Sequence, residues 1–212
     1  MSDPPRPRHV TISDWDAAYR EGTPPWDSGK PHSELIHVLD EYRLQPGTVL
    51  EVGCGTGADA VALARRRWEV TAVDCSPIAV ERARLRAEQY DALIRFVLAD
   101  IIEFAPSAGQ FDLVYDAGLY HAIRRVKLGQ YLDVLWRVTK PGSYYFCLAG
   151  APDDTPEDEG PPRVAAEEIH NELGRLFESI HLRPIQLEGL TGRFAGWSCL
   201  MRRPVVGNTS RD

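Results

Sequence analysis

The stretch VLEVGCGTGA at 49–58 decides the fold of this 212-residue chain. Its first part, VLEV, is a short apolar run typical of a buried strand, and a helix is predicted over 58–67. Between the two lies a turn with few side chains, which lets the backbone approach a ligand closely. Three glycines form this turn: Gly53, Gly55 and Gly57. A strand, a glycine turn and a helix in this order predict a site for a nucleotide-like cofactor.

A second apolar run, VTAVDCS at 70–76, contains Asp74 directly after its strand-like part. An acidic residue at the end of this second strand is placed to accept hydrogen bonds from both hydroxyls of a ribose. Hydrogen bonds to a charged group contribute about 1.5 to 3 kcal/mol each. Asp74 is therefore predicted to bind the ribose of the cofactor.

Two cofactor classes share this layout. Gly53, Gly55 and Ala58 satisfy the dinucleotide fingerprint G-x-G-x-x-G/A, so an NAD(P)-dependent oxidoreductase is one interpretation. Glu51 favours another interpretation, because a carboxylate at the end of the first strand lies where a pyrophosphate would have to bind. The same carboxylate attracts a cationic amino-acid tail on a nucleoside.

The pattern E-x-G-x-G-x-G at 51–57, with an acid at the end of the next strand, resembles that of the class I S-adenosylmethionine-dependent methyltransferases. Three further segments resemble the thiopurine methyltransferase and TehB-like tellurite-resistance branch: WDAAYREGTPPWDSGKPHSEL at 15–35, DAGLYHAI at 116–123 and GPPRVAAEEI at 160–169. The resemblance implies methyl transfer from S-adenosylmethionine. A non-catalytic protein that only binds this cofactor is a further interpretation.

Strand-like and helix-like segments alternate along the chain, which predicts a mostly parallel sheet. With the resemblance, the predicted fold class is α/β: a doubly wound, seven-stranded, Rossmann-like sheet whose last strand is antiparallel. Length and composition favour one domain, over 11–204, with an N-terminal aromatic lid at about 11–32. A helix is predicted over 128–139, and the segments 1–10 and 205–212 are predicted to be disordered tails.

The resemblance also assigns parts of the cofactor to residues. Glu51 and the turn at 53–57 hold the methionine part, Asp74 the ribose, and Asp100 with the amide of Ile101 the adenine. The other predicted cofactor contacts from the sheet edge are Cys75, Ser76 and Asp116. For Asp100, a purely local role as a turn residue or helix cap is the alternative.

Three aromatic residues precede the first strand: Trp15, Tyr19 and Trp26. They are predicted to contact the cofactor from the lid, where an aromatic face beside a sulfonium adds about 0.5 to 2 kcal/mol of cation–π attraction. Tyr19 is also a predicted catalytic residue. The alternative is that all three pack the N-terminal helix onto the sheet.

Asp116 and His121 are the other predicted catalytic residues. If the acceptor is a hydroxyl, His121 is the candidate base and Asp116 its orienter. A thiol acceptor needs little help from a base, because it is appreciably ionised near neutral pH. A structural role for His121 is an equal alternative. Arg124 is a candidate for attracting an anionic acceptor, with a solvated arginine as the alternative.

Composition narrows the class of acceptor. A net charge of -7 and a pI near 5.4 argue against a nucleic-acid substrate, which is bound through clustered Lys and Arg. The four cysteines have no C-x-x-C spacing, so no zinc or other metal site is predicted. No run of the sequence is apolar enough to suggest membrane insertion, and a cytoplasmic protein is predicted. The oligomeric state is left open.

The predicted function is S-adenosylmethionine-dependent methyl transfer to a small-molecule acceptor, by in-line displacement. A thiol, or a selenium or tellurium compound of similar chemistry, is the predicted acceptor. Such a displacement requires mainly alignment of the reactants and a dry pocket.

Overall fold

The structure is a computed structural model that describes residues 12–154, 162–190 and 192–205, with side chains from residue 15 onward. The predicted tails at 1–10 and 205–212 lie outside the described residues, apart from Val205 itself. No helix within the described ranges is long and apolar enough to cross a membrane.

A seven-stranded sheet forms the centre of the molecule, in the order β3-β2-β1-β4-β5-β7-β6. The strands β1 to β5 pair in parallel, whereas β7 is antiparallel to both of its neighbours, β5 and β6. The predicted fold class, with seven strands and an antiparallel last strand, is confirmed. The strands are β1 Thr48–Val52, β2 Glu69–Asp74, β3 Ile94–Leu98, β4 Phe111–Ala117, β5 Thr139–Gly150, β6 Glu178–Gly189 and β7 Gly192–Arg202.

Helices cover both faces of this sheet. They are α1 Ile12–Glu21, α2 Ser33–Glu41, α3 Ala58–Arg65, α4 Pro77–Gln89, α5 Leu119–Val138 and α6 Ala166–Leu173. The helix predicted over 128–139 is only the second half of α5. Its first half starts directly after β4, and the two halves meet at a kink where Lys127 has a non-helical φ of -131°.

The alternation of side chains along the strands divides the core into two layers. On one face, Leu50, Val52 and Val114 pack with buried residues of α5 and α6. On the other face, Val49 and Leu113 pack with buried residues of α2 and α3. Both faces of the central strands are therefore buried, as parallel sheets require.

The parallel arrangement brings the carboxyl ends of β1 to β5 to one edge of the sheet. Strand β1 lies between β2 and β4, and the register pairs Val52 with Val73 on one side and with Asp116 on the other. The order of the strands reverses direction between β1 and β4, which is where ligands bind in open α/β sheets. The glycine turn after β1 lies at this point.

Candidate functional site

The turn after β1 is tied to the neighbouring strand by its own backbone. The amides of Gly53 and Cys54 both donate to the carbonyl of Val73, at 2.8 and 3.0 Å. The three glycines of the turn have positive φ values of 67° for Gly53, 52° for Gly55 and 77° for Gly57. Residues that carry a side chain rarely adopt a positive φ, so the backbone conformation of the turn favours glycine.

The turn is also closely packed. A Cβ atom on Gly55 would lie 2.8 Å from the Tyr19 hydroxyl, and one on Gly57 would lie 2.9 Å from the Cβ of Ala83. The N-terminal helix α1 thus contacts the turn on one side and α4 contacts it on another. The predicted lid helix lies directly against the glycine turn.

We expect Gly55→Ala to lower the free energy of unfolding by about 1 to 3 kcal/mol, because it combines a positive φ with a contact to the Tyr19 hydroxyl. Urea denaturation followed by circular dichroism measures the effect. Gly129→Ala is the matched control, since a Cβ there meets nothing within 4 Å and the residue is helical. That control is expected to be neutral or stabilising by up to about 1 kcal/mol. Equal stability of the two variants would contradict the packing argument.

Glu51 lies in β1 beneath the turn and is almost completely buried, with 3% of its surface exposed. Among the described residues its Oε2 atom has no hydrogen-bond partner. Burial raises the pKa of the Glu51 carboxyl well above its ordinary value, and the carboxylates of Asp59 and Asp74 raise it further. A buried, unpartnered carboxyl with two acidic neighbours favours the binding of a cationic group.

Asp74, at the end of β2, links two turns through its carboxylate. Oδ2 accepts the amide of Gly55 at 2.8 Å, and Oδ1 accepts the amide of Ser76 at 2.9 Å. Burial raises its pKa, while these backbone hydrogen bonds oppose the rise. Ser76 in turn caps α4 by accepting the Ala79 amide and donates to Asp16 of α1 at 2.9 Å. Asp74 and Ser76 therefore connect β2, the glycine turn and the lid helix.

The two cysteines beside the turn hold their protons. Burial, followed by the charge of Asp74, raises the pKa of Cys75 to about 12. The same two causes raise the pKa of the buried Cys54 well above its ordinary value. Neither thiol is a nucleophile near neutral pH, since the thiolate is the reactive form.

The aromatic residues before β1 form one cluster. The rings of Trp15 and Trp26 meet edge to face with centroids 5.0 Å apart, and those of Tyr19 and Trp26 are 6.2 Å apart. The Trp26 indole N–H donates to the Tyr19 hydroxyl at 3.2 Å. Burial raises the pKa of the Tyr19 hydroxyl above its ordinary value, so the hydroxyl stays neutral. The three predicted lid aromatics are thus brought together next to the glycine turn.

The loop at 22–31 forms hydrogen bonds with three other parts of the molecule. The Thr56 hydroxyl of the glycine turn donates to Asp27 at 2.8 Å. The amide of Leu190, in the turn between β6 and β7, donates to the carbonyl of Pro25 at 2.7 Å. Arg86 donates to the carbonyl of Gly29 at 3.0 Å. These contacts were not predicted from the sequence. Thr56 among the glycines of the turn was the one residue whose side chain could have indicated such a contact.

A second network, also missed, surrounds Asp59 of α3, whose charge raises the Glu51 pKa. Asp59 accepts the backbone amide and the Nδ1 atom of His32, each at 2.7 Å, and the hydroxyl of Tyr115 at 3.1 Å. Burial lowers the His32 pKa, but the charge and hydrogen bond of Asp59, together with the charges of Glu188 and Asp27, outweigh burial, and the net pKa is raised. Asp59 stands in the first turn of α3, where an acidic residue is a common sequence feature with no specific meaning.

Asp100 follows β3 and accepts two hydrogen bonds. Oδ1 accepts the amide of Ile102 at 3.0 Å, and Oδ2 accepts Lys127 Nζ, at the kink of α5, at 2.7 Å. Ile101 is buried in the core. Asp100 therefore has the local role of a turn residue at the sheet edge, and Lys127 is an additional partner.

The comparisons with known proteins agree on one family. A family model described as a methyltransferase domain matches residues 49–142. Probable thiol methyltransferase 2 of Arabidopsis thaliana is 30% identical over 175 residues, which cover 79% of this chain and 75% of the plant protein. The chain belongs to the class I S-adenosylmethionine-dependent methyltransferases.

Two further matches support this assignment. The 2-heptyl-1-hydroxyquinolin-4(1H)-one methyltransferase of Mycobacteroides abscessus is 28% identical over 166 residues, covering 77% of this chain and 73% of that protein. A solved structure described as "Conversion of a Disulfide Bond into a Thioacetal Group during Echinomycin Biosynthesis" superposes with a TM-score of 0.80 at 26% identity, over 92% of this chain and 94% of the other. The predicted resemblance to the class I methyltransferases is confirmed.

The cofactor of this methyltransferase is S-adenosylmethionine, and the residues at the sheet edge fit it. Its amino-acid end carries an ammonium group, which suits the buried and unpartnered Oε2 of Glu51. The glycine turn provides backbone without side chains at positive φ, so an extended ligand can approach closely. When bound, the cofactor supplies a methyl group on a positively charged sulfur.

Asp116 has a different environment in the methyltransferase from the one predicted for it. It is completely buried, at 0% exposure, and accepts the amides of Leu119 and Tyr120 and the hydroxyls of Tyr131 and Tyr145. Burial raises its pKa to about 6, against the effect of these hydrogen bonds. Its place among the catalytic and cofactor-binding residues finds no support in this geometry, because four donors of α5 and β5 already occupy the carboxylate, whereas the buried Oε2 of Glu51 has no partner among the described residues.

His121 lies in the first turn of α5 and is half-buried. Its Nδ1 atom accepts the amide of Gly150, the last residue of β5, at 2.9 Å. Asp116 does not contact His121 through any hydrogen bond in the described part of the chain, so the predicted pairing of base and orienter is not formed. The fully buried Asp116 is already engaged by donors from α5 and β5.

Arg124 is neither solvated nor free to attract an anion. It donates to both carboxylate oxygens of Glu172 and, at 2.7 Å, to Glu168, so that it joins α5 to α6. Only 8% of its side-chain surface is exposed. The Tyr120 hydroxyl donates to the same Glu172 at 2.7 Å. Both predicted possibilities for Arg124 are therefore corrected: it is a structural ion-pair partner.

Proposed function

We propose that this methyltransferase transfers the methyl group to a sulfur atom, or to a selenium or tellurium atom of similar chemistry, in a small molecule. The observation that carries the proposal is that neither candidate base, Asp116 of β4 or His121 of α5, is free to accept a proton from the acceptor. The carboxylate of Asp116 is buried under four donors, and the Nδ1 lone pair of His121 is used by Gly150. A hydroxyl acceptor needs a base, whereas a thiol ionises near neutral pH by itself.

Two similar proteins support sulfur as the accepting atom. One relative is named as a thiol methyltransferase, and the similar solved structure is described by the conversion of a disulfide into a thioacetal. The relative that is named for a hydroxyquinolone makes a hydroxyl acceptor the second candidate. The NAD(P)-dependent oxidoreductase is not favoured, because Glu51 occupies the pyrophosphate position.

Within this function we propose roles for the residues of the sheet edge. Glu51 and the glycine turn hold the amino-acid end of the cofactor, Asp74 holds the ribose, and Asp100 with Ile101 holds the adenine. Cys75 and Ser76 line the same edge beside Asp74. The support is their common position at the carboxyl ends of β1, β2 and β3, where the backbone and carboxyl groups converge.

The lid residues are proposed to exclude water from the transfer. Trp15 and Trp26 offer aromatic faces, and Tyr19 places a neutral hydroxyl over the glycine turn. Alignment of two reactants in a dry site contributes about 7 to 11 kcal/mol to catalysis. We propose that 11–204 act as one domain with residues 11–32 as the lid, and that the enzyme works in the cytoplasm.

Calorimetry and product analysis test the proposal together. We expect micromolar binding of S-adenosylmethionine and of S-adenosylhomocysteine, and no binding of NADH. With an arenethiol, an alkanethiol and a phenol as acceptors, mass spectrometry is expected to find the S-methyl products.

Other outcomes lead to the rival interpretations. Methylation of the phenol but of neither thiol would support the hydroxyl acceptor. Cofactor binding without any methylated product would support the non-catalytic binding protein, and NADH binding would support the oxidoreductase.

A further inference from the structure

The ring of His121 lies between the carboxyl ends of two strands. Its Nδ1 atom accepts the amide of Gly150, at the end of β5, at 2.9 Å. On the other side, a Cβ atom on Gly118, directly after β4, would lie 3.4 Å from its Cε1 and 3.5 Å from its Nε2. Gly118 has a φ of 103°, a backbone conformation that favours glycine. The imidazole is thus fixed at the edge of the sheet that carries the cofactor site.

The hydrogen bond to Gly150 determines which nitrogen of His121 carries the proton. Because Nδ1 accepts a hydrogen bond, its lone pair is occupied, and the neutral ring must carry its proton on Nε2. Burial lowers the pKa of His121 to about 4, and no charged side chain contributes to this shift. Near neutral pH the ring is therefore neutral, with a single tautomer that donates from Nε2.

The Nε2–H group has no hydrogen-bond partner among the described residues. Among the described residues, two side-chain polar atoms are fully buried and have no partner: Glu51 Oε2 and Arg137 Nε. The Nε2 atom of His121 is not one of them, so it is not fully buried. The neighbouring polar groups are engaged elsewhere: Tyr120 and Arg124 bind Glu172. The Nε2–H group therefore reaches accessible space at the sheet edge as an unused donor.

We propose that the Nε2–H group of His121 donates a hydrogen bond to the nucleophilic atom of the acceptor and that the acceptor binds as an anion. This inference rests on the proposed function and specifies its substrate class: a thiolate or another heteroatom anion with a pKa near or below neutral. His121 is then an acceptor-binding residue that selects the ionised form, and it is not a base.

The reaction balances without a proton transfer to the protein. The anion supplies an electron pair to the methyl carbon, and a new bond forms between the heteroatom and that carbon. The bond between the methyl carbon and the sulfonium sulfur breaks, and its electron pair returns to the sulfur. The products are the neutral methylated acceptor and a neutral thioether, so no group of the enzyme has to accept a proton.

Two substitutions separate this role from a structural one. In His121→Asn, the amide oxygen reaches the position of Nδ1 and keeps the bond to Gly150, but no donor reaches the position of Nε2. In His121→Gln, the longer side chain brings its amide N–H to the position of Nε2 and gives up the bond to Gly150. A donor role and a structural role therefore predict opposite orders of effect.

The probe is 4-nitrobenzenethiol, which is ionised at neutral pH, titrated calorimetrically in the presence of S-adenosylhomocysteine. We expect His121→Asn to weaken its binding about 10- to 100-fold and His121→Gln to stay within about 3-fold of the native protein. Binding of S-adenosylhomocysteine is expected to be unchanged in both variants. Long-range ¹H–¹⁵N NMR of the native protein is expected to show His121 protonated on Nε2, with no titration between about pH 5.5 and 9.

Tighter thiolate binding by the asparagine variant than by the glutamine variant would overturn the inference. Protonation on Nδ1, or titration near the ordinary histidine pKa, would also overturn it. These failures are distinguishable from failure of the proposed function. If the native protein methylates thiols but any one of these three results is found, only the inference fails. If it neither binds nor methylates any thiol, both fail.

Discussion

The Asp74→Asn protein is expected to bind S-adenosylmethionine about 100-fold more weakly than the native methyltransferase. The carboxylate already accepts the amides of Gly55 and Ser76, and its remaining lone pairs are proposed to accept the ribose hydroxyls. An asparagine amide turns one acceptor oxygen into a donor and removes the charge. Losing charge-assisted hydrogen bonds worth about 1.5 to 3 kcal/mol each corresponds to two orders of magnitude in affinity.

Isothermal titration with S-adenosylmethionine measures the loss, and circular dichroism shows whether the variant is folded. Asp133→Asn is the matched control, because Asp133 is an exposed acid on α5 and the change in charge is the same. The control is expected to bind like the native protein. An Asp74→Asn protein that is folded and binds within about 3-fold of native would refute the proposed ribose contact.

The fold was predictable because its signals are local. In VLEVGCGTGA, the strand, the turn and the helix are adjacent in the sequence, and the turn requires glycine for its positive φ. The alternation of strands and helices then leaves few topologies, since parallel connections are right-handed. The seven strands and the antiparallel last strand followed from the resemblance and are confirmed.

The start of α5 was missed by the prediction from sequence. The sequence predicted a helix only over 128–139, whereas α5 begins at Leu119. The additional turns begin with a local contact that the apolar periodicity does not show: the carboxylate of Asp116, three and four residues earlier, accepts the amides of Leu119 and Tyr120. The same hydrogen bonds occupy the carboxylate of Asp116, although its position at the end of β4 resembles those of Asp74 and Asp100 at the ends of β2 and β3.

Positions at the strand ends were predictable, but the partners of the side chains were not. Arg124 pairs with Glu172, 48 residues later, and His32 pairs with Asp59, 27 residues later. Such pairs leave no pattern in a single sequence, because either residue alone is typical of a solvated surface. Whether an acidic or basic side chain serves the ligand or the protein depends on these distant partners.

Asp116 is the residue whose removal is expected to destabilise the protein most. In Asp116→Ala, two buried tyrosine hydroxyls and two helix amides lose their acceptor: Tyr131, Tyr145, Leu119 and Tyr120. Each unsatisfied buried donor costs about 1 to 3 kcal/mol. We expect the free energy of unfolding at pH 7 to fall by at least about 3 kcal/mol, a large part of the stability of a typical domain. Asp133→Ala is the exposed control and is expected to change little.

The pH dependence of unfolding gives a sharper test of the same environment. The pKa of Asp116 is about 6 in the folded protein, against an ordinary value of about 4 in the unfolded chain. Between these values the folded protein holds a proton that the unfolded chain has released, so this group stabilises the fold less as the pH rises. Asp116→Asn keeps an acceptor oxygen but cannot ionise.

The difference in unfolding free energy between native and Asp116→Asn should therefore move against the native protein by about 2 kcal/mol from pH 4 to pH 7. Urea denaturation at several pH values measures this difference. A constant difference would show that Asp116 ionises with its ordinary pKa. In that case the four hydrogen bonds to the carboxylate would fully offset the effect of its burial on the pKa.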